Sequence, residues 1–89
     1  MTIAATFQAL GDPTRRQIVA FLAEGETAVA QIAEQFNVSG AAVSQHLKVL
    51  RDAGLVRVRK DAQQRFYALE ASPLADAATW LARMAQRGR

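Results

Sequence analysis

Apolar residues recur along this chain at two periods, and the change of period divides it into elements. Ile3, Phe7 and Leu10 fall four and three residues apart, the repeat of a short helix with one buried face. Gly11 ends that run, and Asp12 followed by Pro13 has the order of an N-cap with proline at the first helical position. Ile18, Val19, Phe21 and Leu22 supply the apolar face of a second helix, stopped at Gly25. Thr27 reads as the cap of a third, whose Val29, Ile32, Ala33 and Phe36 again step by three and four. A tight turn follows at Phe36-Asn37-Val38-Ser39, where Asn37 suits a left-handed backbone and Ser39 is placed to cap the next helix.

The fourth helix has two distinct sides. With Val43 as reference and about 100° per residue, Ala42, His46, Leu47, Val49, Leu50 and Ala53 face inward. Ala41, Ser44, Gln45, Lys48 and Asp52 point away, with Arg51 at the flank. Gly54 and Leu55 then have the order of a left-handed cap followed by an apolar contact. Residues 28–53 therefore read as a helix-turn-helix whose second helix presents a polar, basic face.

From Val56 the period falls to two. Val56-Arg57-Val58-Arg59 alternates apolar and basic, the pattern of a half-buried strand, and Arg65-Phe66-Tyr67-Ala68-Leu69 forms a second strand after residues 60–64. Residues 56–69 are thus a basic hairpin directly behind the helix-turn-helix, which makes it winged. Ser72-Pro73 repeats the cap-plus-proline signature and opens a last helix over residues 73–87. The expected fold is mainly α with a β-hairpin wing, in the order α-α-α-α-β-β-α, as one domain over residues 1–89.

Charge sharpens this picture. The net charge is only +3, but residues 17–43 carry Glu24, Glu26 and Glu34 with no Lys or Arg, whereas residues 44–65 carry six basic residues against Asp52 and Asp61. Basic charge is concentrated on the fourth helix and the wing, where a nucleic-acid surface needs it. The partner expected is double-stranded DNA. Polar groups near the start of such a helix reach base edges in the major groove, so Ser44 and Gln45 are the base-reading candidates. Gln pairs bidentately with adenine, Ser donates or accepts, and Ala41 offers a methyl contact to thymine. Lys48 and Arg51 suit phosphates, contacts that set register and affinity without reading sequence.

Composition excludes several classes. The 51% hydrophobic and 21% charged content is ordinary for a globular protein, and no apolar run approaches the roughly 20 residues of a membrane span. Met1-Thr2-Ile3-Ala4-Ala5-Thr6-Phe7 lacks the basic start of a signal peptide, so the cytoplasm is the expected location. Zero cysteines remove disulfides, thiolate metal sites and thiol redox sensing together. No nucleophile with a paired base, glycine-rich phosphate loop or evident carboxylate pair supports an enzyme. His46, the one histidine, falls on the inward side of its helix and reads as structural, with a pH response left open. Arg15 and Arg16 suit a contact with the DNA backbone or with a partner, or a solvated helix face. The alternative to a DNA reader is a winged helix used as a protein-interaction module, since fold does not fix function.

The two ends carry an apolar excess. Ile3, Phe7 and Leu10 on the first helix, with Leu74, Ala77, Trp80, Leu81 and Met84 on the last, would leave apolar surface exposed in a monomer. A homodimer through these two helices is expected, with Ile3, Phe7, Leu74, Ala77, Trp80, Leu81 and Met84 at its interface. Its two-fold axis would set two recognition helices about 34 Å apart and call for an inverted-repeat operator.

The chain resembles the ArsR family of bacterial winged-helix repressors over nearly its whole length. The resemblance is carried by residues 7–18, with the run Ala-Leu-Gly-Asp-Pro-Thr-Arg-Arg at 9–16. It continues in residues 43–56, with Ser44-Gln45-His46-Leu47-Lys48-Val49-Leu50, and in Tyr67-Ala68-Leu69. It implies the same element order, a dimer formed by the first and last helices, and repression by occupying an operator. Metal-sensing relatives often place Cys-Val-Cys where this chain has Ala28-Val29-Ala30, or His and carboxylate ligands on the last helix, where Asp76 is the only acidic residue. One histidine does not make a transition-metal site, so the chain resembles the metal-independent, autorepressor-like branch, with no metal, no cofactor and an unknown effector. Gly40 stands where relatives carry a longer residue, and Ala62-Gln63 where they often have Gly-Arg. Ser39 and Gly40 at the helix start, and Arg59, Lys60, Gln63 and Arg65 in the wing, are the remaining backbone or groove candidates.

Overall fold

Helix caps set the frame. The computed structural model describes residues 2–88. In it the Thr2 hydroxyl accepts the Ala5 N–H at 3.1 Å and opens α1 (Ile3–Ala9). Asp12 accepts the Arg15 N–H at 3.0 Å and opens α2 (Pro13–Leu22), with Pro13 in its first turn. The short strand β1 (Thr27–Ala28) leads into α3 (Val29–Phe36). Asn37 then turns the chain in the left-handed conformation, at φ 52°, and Ser39 opens α4 (Gly40–Asp52) by accepting the Ala42 N–H at 3.1 Å. At the other end of α4 the Leu55 and Gly54 N–H groups donate back to the Leu50 and Arg51 carbonyls, each at 2.9 Å, with Gly54 at φ 80°. That pair of bonds is a Schellman ending, and its left-handed residue is where glycine avoids a Cβ clash.

β2 (Val56–Asp61) and β3 (Gln64–Leu69) pair antiparallel, and β1 adds to the far edge of β3, giving a three-stranded sheet in the order β1-β3-β2. α5 (Ala71–Arg87) follows. This is the winged helix-turn-helix that the hydrophobic pattern predicts, with three differences. Thr27 does not cap α3: it pairs with Tyr67 in β1, and Ala28 is the N-cap, its N–H donating to Gln31 Oε1 at 3.4 Å. Two residues are too few for a period to show, so the pattern alone did not mark this strand. The wing strands run to Asp61 and from Gln64, leaving only Ala62-Gln63 as the turn instead of residues 60–64. Finally, α5 begins at Ala71 with Glu70 at its N-cap, so that Ser72 and Pro73 lie inside the first turn, where proline's missing N–H costs no helical bond.

The core joins both halves of the helix-turn-helix to the wing. Ile18 and Leu22 of α2, Ile32 of α3, and Val43, Leu47 and Leu50 of α4 are buried together with Leu55, Val56 and Tyr67. Each large apolar side chain buried this way contributes about 1.5–3 kcal/mol, so the angle of α4 against α2 and α3 is held by packing. α1 and α5 lie against each other at the opposite end, with the Phe7 and Trp80 rings 5.7 Å apart and tilted by 60°. Ala77 is buried within the single chain, Ile3, Phe7 and Leu74 are half-buried, and Trp80, Leu81 and Met84 remain 40%, 51% and 37% exposed.

Candidate nucleic-acid interface

The side chains of α4 divide as its period requires. Val43, Leu47 and Leu50 are buried, Ala42, His46 and Val49 half-buried, and Ala41, Ser44, Gln45, Lys48, Arg51 and Asp52 exposed. Ser39 is engaged as the cap. Gly40 is exposed, and a Cβ built on it would meet nothing within 4 Å, so neither space nor backbone requires glycine there. Lys48 Nζ reaches Asp52 Oδ2 at 2.9 Å one turn on. Both groups are largely exposed, and such pairs contribute little, so Lys48 is available to a stronger anion.

His46 points inward toward the cap of α2. Its Nδ1 lies 3.9 Å from Asp12 Oδ2, buried and without a hydrogen-bond partner among the described residues. The Arg15 backbone N–H, more than the nearby His46, holds the Asp12 carboxyl below the usual carboxylate range. Arg15 and Arg16 both turn back onto α1, with Arg15 half-buried and Arg16 exposed. Arg15 Nε donates to the Ala9 carbonyl at 2.6 Å and Arg16 Nη1 to the Leu10 carbonyl at 2.8 Å. They close the C-terminal end of α1, whose last carbonyls lack helical donors.

The wing has two electrostatically different faces. Residues opposite one another across an antiparallel pair share a face. On the inner face Val56 pairs with Leu69, Val58 with Tyr67 and Lys60 with Arg65. Val56 and Tyr67 belong to the core, so this face is directed toward α4, and its tip carries two opposed cations. On the outer face lie Arg57 opposite Ala68 and Arg59 opposite Phe66. Arg57 Nη1 reaches Glu70 Oε1 at 2.6 Å. Arg59 Nη2 and Nε donate to the two oxygens of Glu26 at 2.8 and 3.2 Å, while its guanidinium carbon sits 4.7 Å from the Phe66 ring centroid. The Arg59 guanidinium holds the Glu26 carboxyl below its usual range, and Glu26 in turn raises Arg59. Thus the structure brings Ser44, Lys48, Arg51, Gln63 and Arg65 around one cleft between α4 and the wing, and places Arg59 on the far face in an ion pair.

Glu26 was not identifiable from spacing, because its partner is 33 residues away and the two meet only through the sheet. The turn, in contrast, bears on a departure already visible in the sequence. Ala62 adopts φ 55°, a conformation that costs a residue with a Cβ roughly 1–2 kcal/mol and glycine almost nothing.

Ala28, Val29 and Ala30 line the cleft where metal-sensing relatives often place cysteines, and none offers a metal donor. No group of three or more His, Cys, Asp or Glu residues placed to hold a metal ion occurs among the described residues. No helix among them is long and apolar enough to cross a membrane.

Residues 12–58 match the profile described as "Bacterial regulatory protein, arsR family". The chain is 34% identical over 82 residues to "Transcriptional repressor SdpR" of Bacillus subtilis (strain 168), covering 92% of this chain and 91% of that protein. It is 51% identical over 69 residues to "HTH-type transcriptional regulator Rv2034" of Mycobacterium tuberculosis, covering 78% of this chain but 64% of that longer protein. Among solved structures, an ArsR family transcriptional regulator superposes with a TM-score of 0.85 at 32% identity over 93% of this chain and 86% of that one. HlyU from Vibrio cholerae superposes at 0.78 and 33% over 91% and 88%. The chain belongs to the arsR family of bacterial regulatory proteins, which are DNA-binding transcriptional regulators and not enzymes.

Proposed function

We propose that this regulator is a repressor that binds an inverted-repeat operator as a homodimer, acts in the cytoplasm and needs no metal signal. The observation that carries the reading is the convergence of the outward face of α4 and the tip of the wing on one cleft. Ser44 and Gln45 read bases, with Ala41 as a methyl contact, while Lys48, Arg51, Lys60 and Arg65 hold phosphates. Gln63 at the turn reaches the adjacent groove, and Ser39 and Gly40 bring the start of α4 to the backbone. Arg59 joins them only when Glu26 and Asp61 release it. Dimerisation covers the exposed Trp80, Leu81 and Met84 with Ile3, Phe7 and Leu74 beside them, and Ala77 supports that face from within. The name of the Bacillus subtilis relative supports repression, and the absence of cysteine supports independence from metals.

The test is an anisotropy titration of the protein against its own promoter region and against random duplex at several salt concentrations. The promoter is expected to bind tighter at every salt, and Gln45→Ala to cost about 1–3 kcal/mol while relaxing preference at one base position. Equal affinity for both duplexes would overturn the operator reading. It would leave a protein-interaction module. Added zinc or nickel is expected to leave the titration unchanged, and sedimentation to show a dimer that Trp80→Ala weakens.

A further inference from the structure

The cleft between α4 and the wing has a volume of about 500 Å³, within the roughly 300–1,000 Å³ of small-molecule sites. We propose that it binds a small aromatic carboxylate, and that its occupancy excludes operator DNA. The exclusion rests on the proposed DNA-reading role of α4. Binding of the carboxylate does not.

Charge complementarity argues for an anion. Arg51 on one wall and Arg65 on the other carry no carboxylate partner among the described residues, whereas the outer-face Arg57 pairs with Glu70 and Arg59 with both Glu26 and Asp61. Among the described residues no Asp or Glu lines the cleft, and Asp52, one turn beyond Lys48 on α4, is paired with it. Guanidinium groups match a carboxylate with two parallel hydrogen bonds, so the acid would be held in a defined plane. The apolar lining argues for an aromatic body. Leu47 and Tyr67 meet the cleft from the core side and Val29 from α3. A hydrated inorganic anion gains nothing from those surfaces, whereas a ring placed there loses apolar contact with water. Room for the ring comes from Ala28 and Ala30, whose methyl groups leave the end wall shallow.

The consequence for DNA follows from shared residues. Ser44 and Lys48 line the same cleft. A ligand there covers a base-reading hydroxyl and neutralises cations that would otherwise meet phosphates. It therefore stabilises the DNA-free protein by mass action.

The experiment titrates the ¹⁵N-labelled full chain, free of DNA, with benzoate, with its neutral isostere benzamide and with inorganic phosphate. Benzoate is expected to move the amides of Ala30, Leu47 and Tyr67 saturably, with benzamide and phosphate producing much smaller changes. Benzoate should also weaken operator binding in anisotropy. Ala30→Leu fills the end wall from an exposed position that contacts no DNA in this reading. It should abolish both benzoate effects, while the protein keeps its melting temperature and its preference for the operator over random duplex. No saturable shift with benzoate would overturn the site. Shifts of equal strength with inorganic phosphate would also overturn it, and would mark the cleft as a seat for a backbone phosphate. A benzoate shift that persists undiminished in the DNA complex would overturn exclusion. Saturable benzoate binding by a protein that shows no operator preference would uphold the site and sink the DNA reading instead.

Discussion

The two faces of the wing carry similar charge to opposite ends. On the outer face Arg57 and Arg59 are each matched to a carboxylate from another part of the chain, Glu70 and Glu26. On the inner face Lys60 and Arg65 stand directly opposite one another, an arrangement of like charges that is unfavourable in isolation and is relieved by an anion. Counting cations along the hairpin treats the faces as equal. Counting unmatched cations on the side that α4 occupies singles out the inner face, and this is the quantity that matters for a polyanion.

The largest way to break the comparison is to remove what orients both faces. Tyr67 is 6% exposed and belongs to the core, and deleting an aromatic side chain of this kind costs about 3–5 kcal/mol. Out of a total of about 5–15 kcal/mol for a small domain, Tyr67→Ala is expected to lower the urea midpoint steeply and to abolish DNA binding. A midpoint close to that of the parent protein would mean that the wing is not anchored through its inner face.

A smaller change separates the faces. Lys60→Ala and Arg65→Ala are each expected to weaken all duplexes alike and to lower the slope of log affinity against log salt by about one. Arg57→Ala is expected to leave that slope unchanged. A slope that falls equally for all three would erase the distinction.

Glu26→Gln turns one face into the other. The neutral amide no longer pairs with Arg59, leaving it only the longer contact to the exposed Asp61, whose Oδ2 lies 3.6 Å from Arg59 Nη1, and the loosened guanidinium is expected to steepen the salt slope by up to about one while raising affinity for every sequence. The double variant Glu26→Gln with Arg59→Ala should return to the parent slope, because the effect of the first change passes through the second. If Glu26→Gln steepens the slope equally in the Arg59→Ala background, the gain comes from removing a negative charge and not from freeing Arg59.

These experiments turn on contacts of different legibility. The helix starts at Asp12 and Ser39, the left-handed Asn37 and the closing Gly54 could be read directly, because each is settled within a few residues of chain. The inward and outward sides of α4 were legible for the same reason: a 3.6-residue period sorts Leu47 from Gln45 without knowledge of the rest. What could not be read depends on distant partners. Glu26 meets Arg59 only because β1 adds to the sheet, and β1 is too short to announce itself. Arg15 and Arg16 turn back to α1 through a tight corner that no periodicity describes. Ala77 fits the apolar stripe of α5, but whether it meets α1 or a second chain is decided by the packing of the two helices.

The smallest effect is a titration. Arg59 keeps the Glu26 carboxyl ionised to lower pH than an unpaired glutamate, with Arg57 adding to the attraction. A depressed folded pKa means that the unfolded chain takes up the proton first. The stability from the pair is therefore fully present above the unfolded pKa of about 4.3 and is lost as pH falls through the folded value. Both partners are substantially exposed, so solvent screens the pair and the contribution is small. Asp12 is also lowered, by its bond to the Arg15 N–H, and it titrates in the same acid range in every variant that retains it. The informative quantity is thus the difference in melting temperature between the parent and Glu26→Gln. It is expected to be constant from neutral pH to about 5 and to shrink below the usual glutamate pKa of about 4.3, with the Asp12 contribution cancelling between them. A difference that instead stays constant down to pH about 3, below the usual range for carboxylates, would show that Glu26 acts on the wing through something other than its charge.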